Sequence, residues 1–230
     1  SPWFLIVWFY FVLISSLPGL LKRTEDHFLK FTGLIVYIIS YELLGRVSGA
    51  RPFIPYEMGK YLMLLFLIFG IQTGYRKGSI GWIMLFLLVP GMIIDVSGLA
   101  GFKNVVANLF GPISIALAVV YFKGQAVSYE DLRSLIRLVL LPLISVLAFV
   151  ILKTPDFESV EFTLGSNAEA SGGFGSNQVS TVLGLGVLIS YISWSNRWKI
   201  SGYRWFDLLL LALFAFRGLL TFSRGGMIGG

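Results

Sequence analysis

Eight apolar runs divide this sequence, at residues 3–21, 28–44, 61–74, 80–96, 105–122, 135–152, 179–194 and 205–222. A run of about 20 apolar residues is long enough to cross the roughly 30 Å hydrocarbon layer of a bilayer as a helix. Inside that layer an open-ended segment must be helical, because only a helix satisfies its own backbone groups. The chain is therefore expected to be an all-α polytopic membrane protein with about eight transmembrane helices, forming a single transmembrane domain over residues 1–230. Composition agrees: 56% of residues are hydrophobic and only 13% charged, against about 25% charged in soluble domains. The run at 61–74 is short and is expected either to tilt little or to extend back toward Tyr56. Pro90, Pro112 and Pro142 fall inside runs, where kinks are expected. No internal repeat is visible, and the absence of cysteine removes disulfides and thiolate metal sites.

The connections between runs alternate in charge. One set carries Lys22, Arg23 and Lys30, then Arg76 and Lys77, then Lys123, Arg133 and Arg137, then Arg197, Lys199 and Arg204. The other set carries Arg46, Arg51 and Lys60, then Lys103, then Lys153. Lysine and arginine accumulate in cytoplasmic loops, so the first set is assigned to the cytoplasm. This bias accounts for the net charge of +6 without a nucleic-acid partner. Residues 128–137 have a capping start and helical spacing, and read as an amphipathic inner-face helix leading into the sixth run. The loop at 153–178 and the end of the last run then lie outside, in the periplasm if the protein belongs to a bacterial inner membrane.

Candidate binding residues collect on that outer side. Arg217 and Arg224 stand seven residues apart, roughly 10 Å along a helix, so both fit one face. A charge in lipid costs about 3 kcal/mol or more unless it meets a cavity or a partner, and guanidinium forks fit phosphate oxygens two at a time. Arg217 meets either a ligand or an acid, with Glu42 and Asp95 as candidate partners; Arg224 either binds a ligand or marks the helix end. Ser223, Gly225 and Gly226 permit close approach. Before the seventh run, Gly172, Gly173 and Gly175 surround Phe174, and Asn177, Gln178, Ser180 and Thr181 follow. Asn177 or Ser176 is expected to cap the helix, and a glycine turn at a helix start suits an anion. An ordinary flexible loop is the competing reading. Arg46, Arg51 and Lys60, with Pro52, Pro55 and Tyr56, read best as a short ordered turn. Glu42 reads as an interfacial residue, Asp207 as an N-terminal helix charge, and His27 as a solvated loop residue. Gly184 and Gly186, with Ser180, suit close helix packing.

The stretch from Gly172 (Gly-Gly-Phe-Gly-Ser-Asn-Gln-Val-Ser-Thr-Val-Leu-Gly-Leu-Gly), followed by a basic connection and then by Leu220-Thr-Phe-Ser-Arg-Gly-Gly, resembles the O-antigen ligase and O-antigen polymerase superfamily of bacterial envelopes. The resemblance covers residues 164–230 by motif; the earlier runs match only as hydrophobic helices. It implies an integral-membrane glycosyltransferase with a partial GT-C-like bundle. The implied donor is an undecaprenyl-diphosphate-linked glycan on the periplasmic side, with a second glycan, lipid A core or protein as acceptor, in the synthesis of lipopolysaccharide or exopolysaccharide. The arginine of the Ser-Arg-Gly turn carries over to Arg224 as the contact to the donor diphosphate. Family members continue into a large periplasmic loop with a further arginine and histidine. The present sequence is accordingly read as an internal piece of a longer protein, inactive by itself.

The chemistry expected is inverting-type glycosyl transfer in which arginines stabilise the charge that builds on a departing lipid diphosphate. The outer loops show no compact carboxylate cluster, Glu158, Glu161 and Glu169 being spread apart, so transfer without metal or other cofactor is expected. The binding residues expected are Arg217, Arg224, Ser223, Gly173, Phe174, Asn177 and Gln178. The alternative is a transporter or flippase of lipid-linked sugars, which also needs intramembrane charge and kinked helices but forms no glycosidic bond. A non-catalytic membrane scaffold is the third reading.

Overall fold

Each apolar run forms a helix: α1 Pro2–Leu21, α2 His27–Val47, α3 Met58–Thr73, α4 Ser79–Ile93, α5 Gly101–Phe122, α6 Tyr129–Lys153, α7 Ser176–Ser195 and α8 Arg204–Leu220. The computed structural model describes residues 2–21, 27–50, 58–73, 79–93, 101–154 and 171–221. Among them there is no strand. By length and composition α1, α2, α6 and α7 are each sufficient to cross a bilayer. The apolar stretches Met58–Gln72, Ile80–Gly91 and Asn108–Phe122 are shorter, and α8 includes Arg204, Asp207 and Arg217 within its 17 residues.

Boundaries differ from expectation in instructive ways. The third helix extends back to Met58, which lengthens the short run. The expected amphipathic segment at 128–137 is not a separate element but the first turns of α6, which runs unbroken for 25 residues. Ser128 caps it by accepting from the Asp131 amide at 3.1 Å, with Glu130 and Asp131 in the first turn, where acidic groups complement the helix dipole. The helices continue through Pro90, Pro112 and Pro142.

The helices pack with alternating direction. Trp8 donates from Nε1 to the Tyr37 hydroxyl at 2.8 Å, and the Tyr41 hydroxyl donates to the Leu5 carbonyl at 2.7 Å, setting α1 antiparallel to α2. Phe31 meets Phe66 while Glu42 lies against Gly59, so α3 returns antiparallel along α2. Tyr61 meets Phe110 and Gly70 lies under the Tyr121 ring, so α3 and α5 run parallel. One end of the bundle, here the upper end, therefore gathers the end of α2, the starts of α3 and α7 and the ends of α6 and α8. The lower half gathers Lys30, Lys123, Arg133, Arg137, Arg197, Lys199 and Arg204, the described part of the basic set assigned to the cytoplasm. His27 opens α2 with its ring 4.7 Å from that of Phe31, so it packs on an aromatic rather than standing free in a loop.

The buried core runs from Phe9 through Ile38, Leu67, Val120 and Val146 to Leu183 and Phe214, and α4 joins it through Leu85, which packs against it. Large apolar side chains also cover the outer faces. Phe86 and Leu87 of α4 are 73% and 68% exposed, and Trp3, Phe4, Val7 and Phe11 line the outside of α1. Contiguous faces of this kind suit lipid rather than water.

At the lower end the α7–α8 hairpin is held by Asp207. Its carboxylate accepts from the Ile200 and Ser201 amides, each at 3.0 Å, and from the Ser193 hydroxyl at 3.2 Å. Arg197, Lys199 and Gly202 in this turn have positive φ, a conformation that points successive amides inward to form an anion-binding nest. Asp207 is thus a clamp on the turn, a larger part than the simple dipole charge expected of it. The hairpin itself closes on small residues: a Cβ at Gly186 would fall 2.5 Å from the Phe214 ring, and one at Gly218 would touch Leu183. Gly186 confirms the close packing expected of it.

Candidate functional site at the upper end of the bundle

The turn that leads into α7 is built by glycine. Gly172 and Gly173 have φ of 70° and 78°, a region that costs other residues roughly 1 kcal/mol or more. A Cβ at Gly172 would lie 3.4 Å from Lys153 Cβ, so the turn docks on the end of α6. Phe174 packs against the core rather than standing free in the turn. The N-cap of α7 is Gly175 and makes no side-chain cap bond, which corrects the expectation that Ser176 or Asn177 caps this helix. The Gln178 and Val179 amides instead reach the Gly175 carbonyl at 3.1 and 3.2 Å. With no capping duty, Asn177 and Gln178 project outward, both exposed.

They face the last turn of α2. This helix ends in a Schellman turn: the Gly49 amide donates to Arg46 and the Ala50 amide to Gly45, with Gly49 at a φ of 69°, as such terminations require. Arg46 in that turn complements the carbonyl end of the helix dipole. It donates from Nη2 to Glu42 in an i,i+4 ion pair and from Nη1 to Gln178 Oε1 at 3.4 Å. A Cβ at position 59 would lie 2.6 Å from the Glu42 carboxylate, so Gly59 is what allows α3 to start beside the pair. The result is a notch of about 360 Å³ whose polar rim is Glu42, Arg46, Asn177, Gln178 and Thr181. Its apolar lining is Ile39, Leu43 and Val182. Its volume lies near the lower end of the roughly 300–1,000 Å³ range typical of small-molecule sites.

The structure therefore brings Asn177 and Gln178 together and adds two residues that the sequence placed elsewhere. Glu42 pairs with Arg46, not with Arg217. Arg46 joins the rim, whereas the sequence assigned it to an ordered turn. Gly173 is exposed in the docking turn. Arg217 is 7% exposed on α8 and is not among the residues of the notch. On α7 the notch uses positions 177, 178, 181 and 182, while α8 packs on 183 and 186. At 100° per residue the centres of these two faces lie about 140° apart. Arg217 is instead one of the buried polar residues of the hairpin, as are Ser176 and Ser180 of α7 and Thr221. Arg224, Ser223, Gly225, Gly226, Asp95, Arg51 and the acidic residues Glu158, Glu161 and Glu169 lie outside the described residues. Among the described residues no three His, Asp or Glu side chains gather into a metal-binding group.

A second concavity, about 730 Å³ and mostly apolar, opens between α1, α2 and α6. It runs from Leu5 and Leu44 down to Gly19, Lys30 and Ser134. Comparison with known proteins finds no matching family model, curated protein or solved structure.

Proposed function

We propose that the protein is a membrane glycosyltransferase of the O-antigen ligase and polymerase type, one that moves a glycan from undecaprenyl diphosphate to an acceptor on the periplasmic face of a bacterial inner membrane. The observation that carries this reading is the upper-end assembly. The Gly-Phe-Gly-Ser-Asn-Gln turn meets a cation of α2 at the same end of the bundle where α8 ends. The end opposite to it bears the basic residues expected of a cytoplasmic face.

In this reading Arg224 contacts the donor diphosphate. As the glycosidic bond to the lipid breaks, charge grows on the diphosphate oxygens, and a preorganised guanidinium stabilises that state more than the ground state. Arg217, buried in the hairpin, acts behind the surface: it adds positive potential and fixes the end of α8 rather than touching the donor. The test is the Arg224→Ala variant of the full chain, reconstituted with lipid-linked donor and acceptor. Transfer should fall by about 100-fold or more, the loss typical of one oxyanion donor, with membrane insertion intact. Transfer at the unaltered rate would end the proposal. A transporter of the same lipid would move donor across the bilayer without forming a bond, which the same assay registers.

A further inference from the structure

The notch rim is electrically balanced. Glu42 and Arg46 cancel in an ion pair, and Asn177, Gln178 and Thr181 are neutral. A diphosphate is acceptor-only and anionic, so within this rim it would meet the Glu42 carboxylate, itself acceptor-only. A neutral polyhydroxylated ring is the better match. Its hydroxyls both donate and accept, and so do carboxamides; the Thr181 hydroxyl, which donates to the Asn177 carbonyl at 2.8 Å, is left to accept, while the carboxylate and guanidinium supply a fixed acceptor and a fixed donor. The ring's C–H face matches the apolar lining of Ile39, Leu43 and Val182. The rim is also held from outside. Gly59 packs on Glu42, the Schellman turn fixes Arg46, and the glycine turn on α6 sets the start of α7.

We infer that this notch is a sugar subsite, one that holds a ring of the glycan, a role distinct from the one assigned to Arg224 toward the phosphates. The inference rests on the proposed transferase reading for the source of the sugar. It makes Glu42, through its grip on Arg46, a positioning residue, and makes Arg46, Asn177 and Gln178 determinants of which sugar is accepted.

The chain has no cysteine, so single thiols report cleanly. Thr181→Cys, on the rim, and Lys153→Cys, exposed at the same end and off the rim, are introduced separately into the full chain in membranes. Each is labelled with a membrane-impermeant maleimide in the presence of lipid-linked glycan extracted from the producing cells, or of undecaprenyl diphosphate alone. The glycan should slow labelling at position 181 by about fivefold, as a ligand at about four times its Kd does. Undecaprenyl diphosphate should not, position 153 should be unaffected by either, and adding Gln178→Ala should abolish the protection. Equal protection by undecaprenyl diphosphate would make the notch a phosphate site and overturn the inference. So would equal slowing at position 153, or no protection at position 181 while the unaltered protein still transfers glycan. Protection at position 181 in a protein that transfers nothing would uphold the sugar subsite and overturn the transferase reading instead.

Discussion

Asp207 and Arg217 are both buried charges on α8, and their surroundings give them different work. Asp207, 2% exposed, accepts three hydrogen bonds from the α7–α8 turn. In Asp207→Asn one acceptor oxygen becomes a donor facing donors already in place, so at least one amide or hydroxyl loses its partner. A loss of about 1–3 kcal/mol follows for a buried group left unsatisfied, read as a lower Tm of the detergent-solubilised protein, and an unchanged Tm would show that the clamp is dispensable. Asp207 could be recognised beforehand only as an acid at a helix start, because the amides it collects come from a turn whose left-handed residues, Arg197 and Lys199, are not types that announce positive φ. Arg217 was legible as a cation inside an apolar run, but its burial against α7 was not, since that depends on which side of α8 faces the hairpin. Arg46 illustrates the same limit: its rim partner Gln178 lies 132 residues further along the chain, and no local pattern links them.

The α7–α8 hairpin and the α2 terminus are the parts that aim the notch. The hairpin closes only because Gly186 gives the Phe214 ring room. Gly186→Val should force these helices apart and cost about 1–3 kcal/mol, the usual penalty of overpacking. Phe214→Leu in the same chain should recover part of that loss. A double-mutant cycle in which the two changes simply add would show that the contact is not what sets the spacing. At the other rim, Gly59→Ala would drive a methyl group into the Glu42 carboxylate and turn Arg46 away from Gln178. Glycan transfer should fall while α3 remains inserted, measured as KM for donor against kcat; an unchanged KM would remove Glu42 from the account. The helices themselves were readable from their apolar runs because a bilayer leaves the backbone little choice. The Gly175 start of α7 was not, because two neighbouring polar residues looked better suited to cap it than a glycine does.

Taken together, the eight helices sort charge to two ends and leave apolar faces between them. That arrangement predicts orientation. A thiol at Ala126, in the connection between α5 and α6, should be labelled only from the cytoplasmic side, and one at Asn177 only from the opposite side. Labelling of both from one side would dismantle the topology on which the notch depends. The question beneath all of this is whether the upper end makes a bond. It is settled most directly by incubating the purified full chain with undecaprenyl-diphosphate-linked glycan and acceptor, in the absence of nucleotide sugar, and following both products. The account predicts a new glycosidic linkage appearing in step with free undecaprenyl diphosphate; donor that crosses the bilayer or stays bound with its glycan still attached would contradict it.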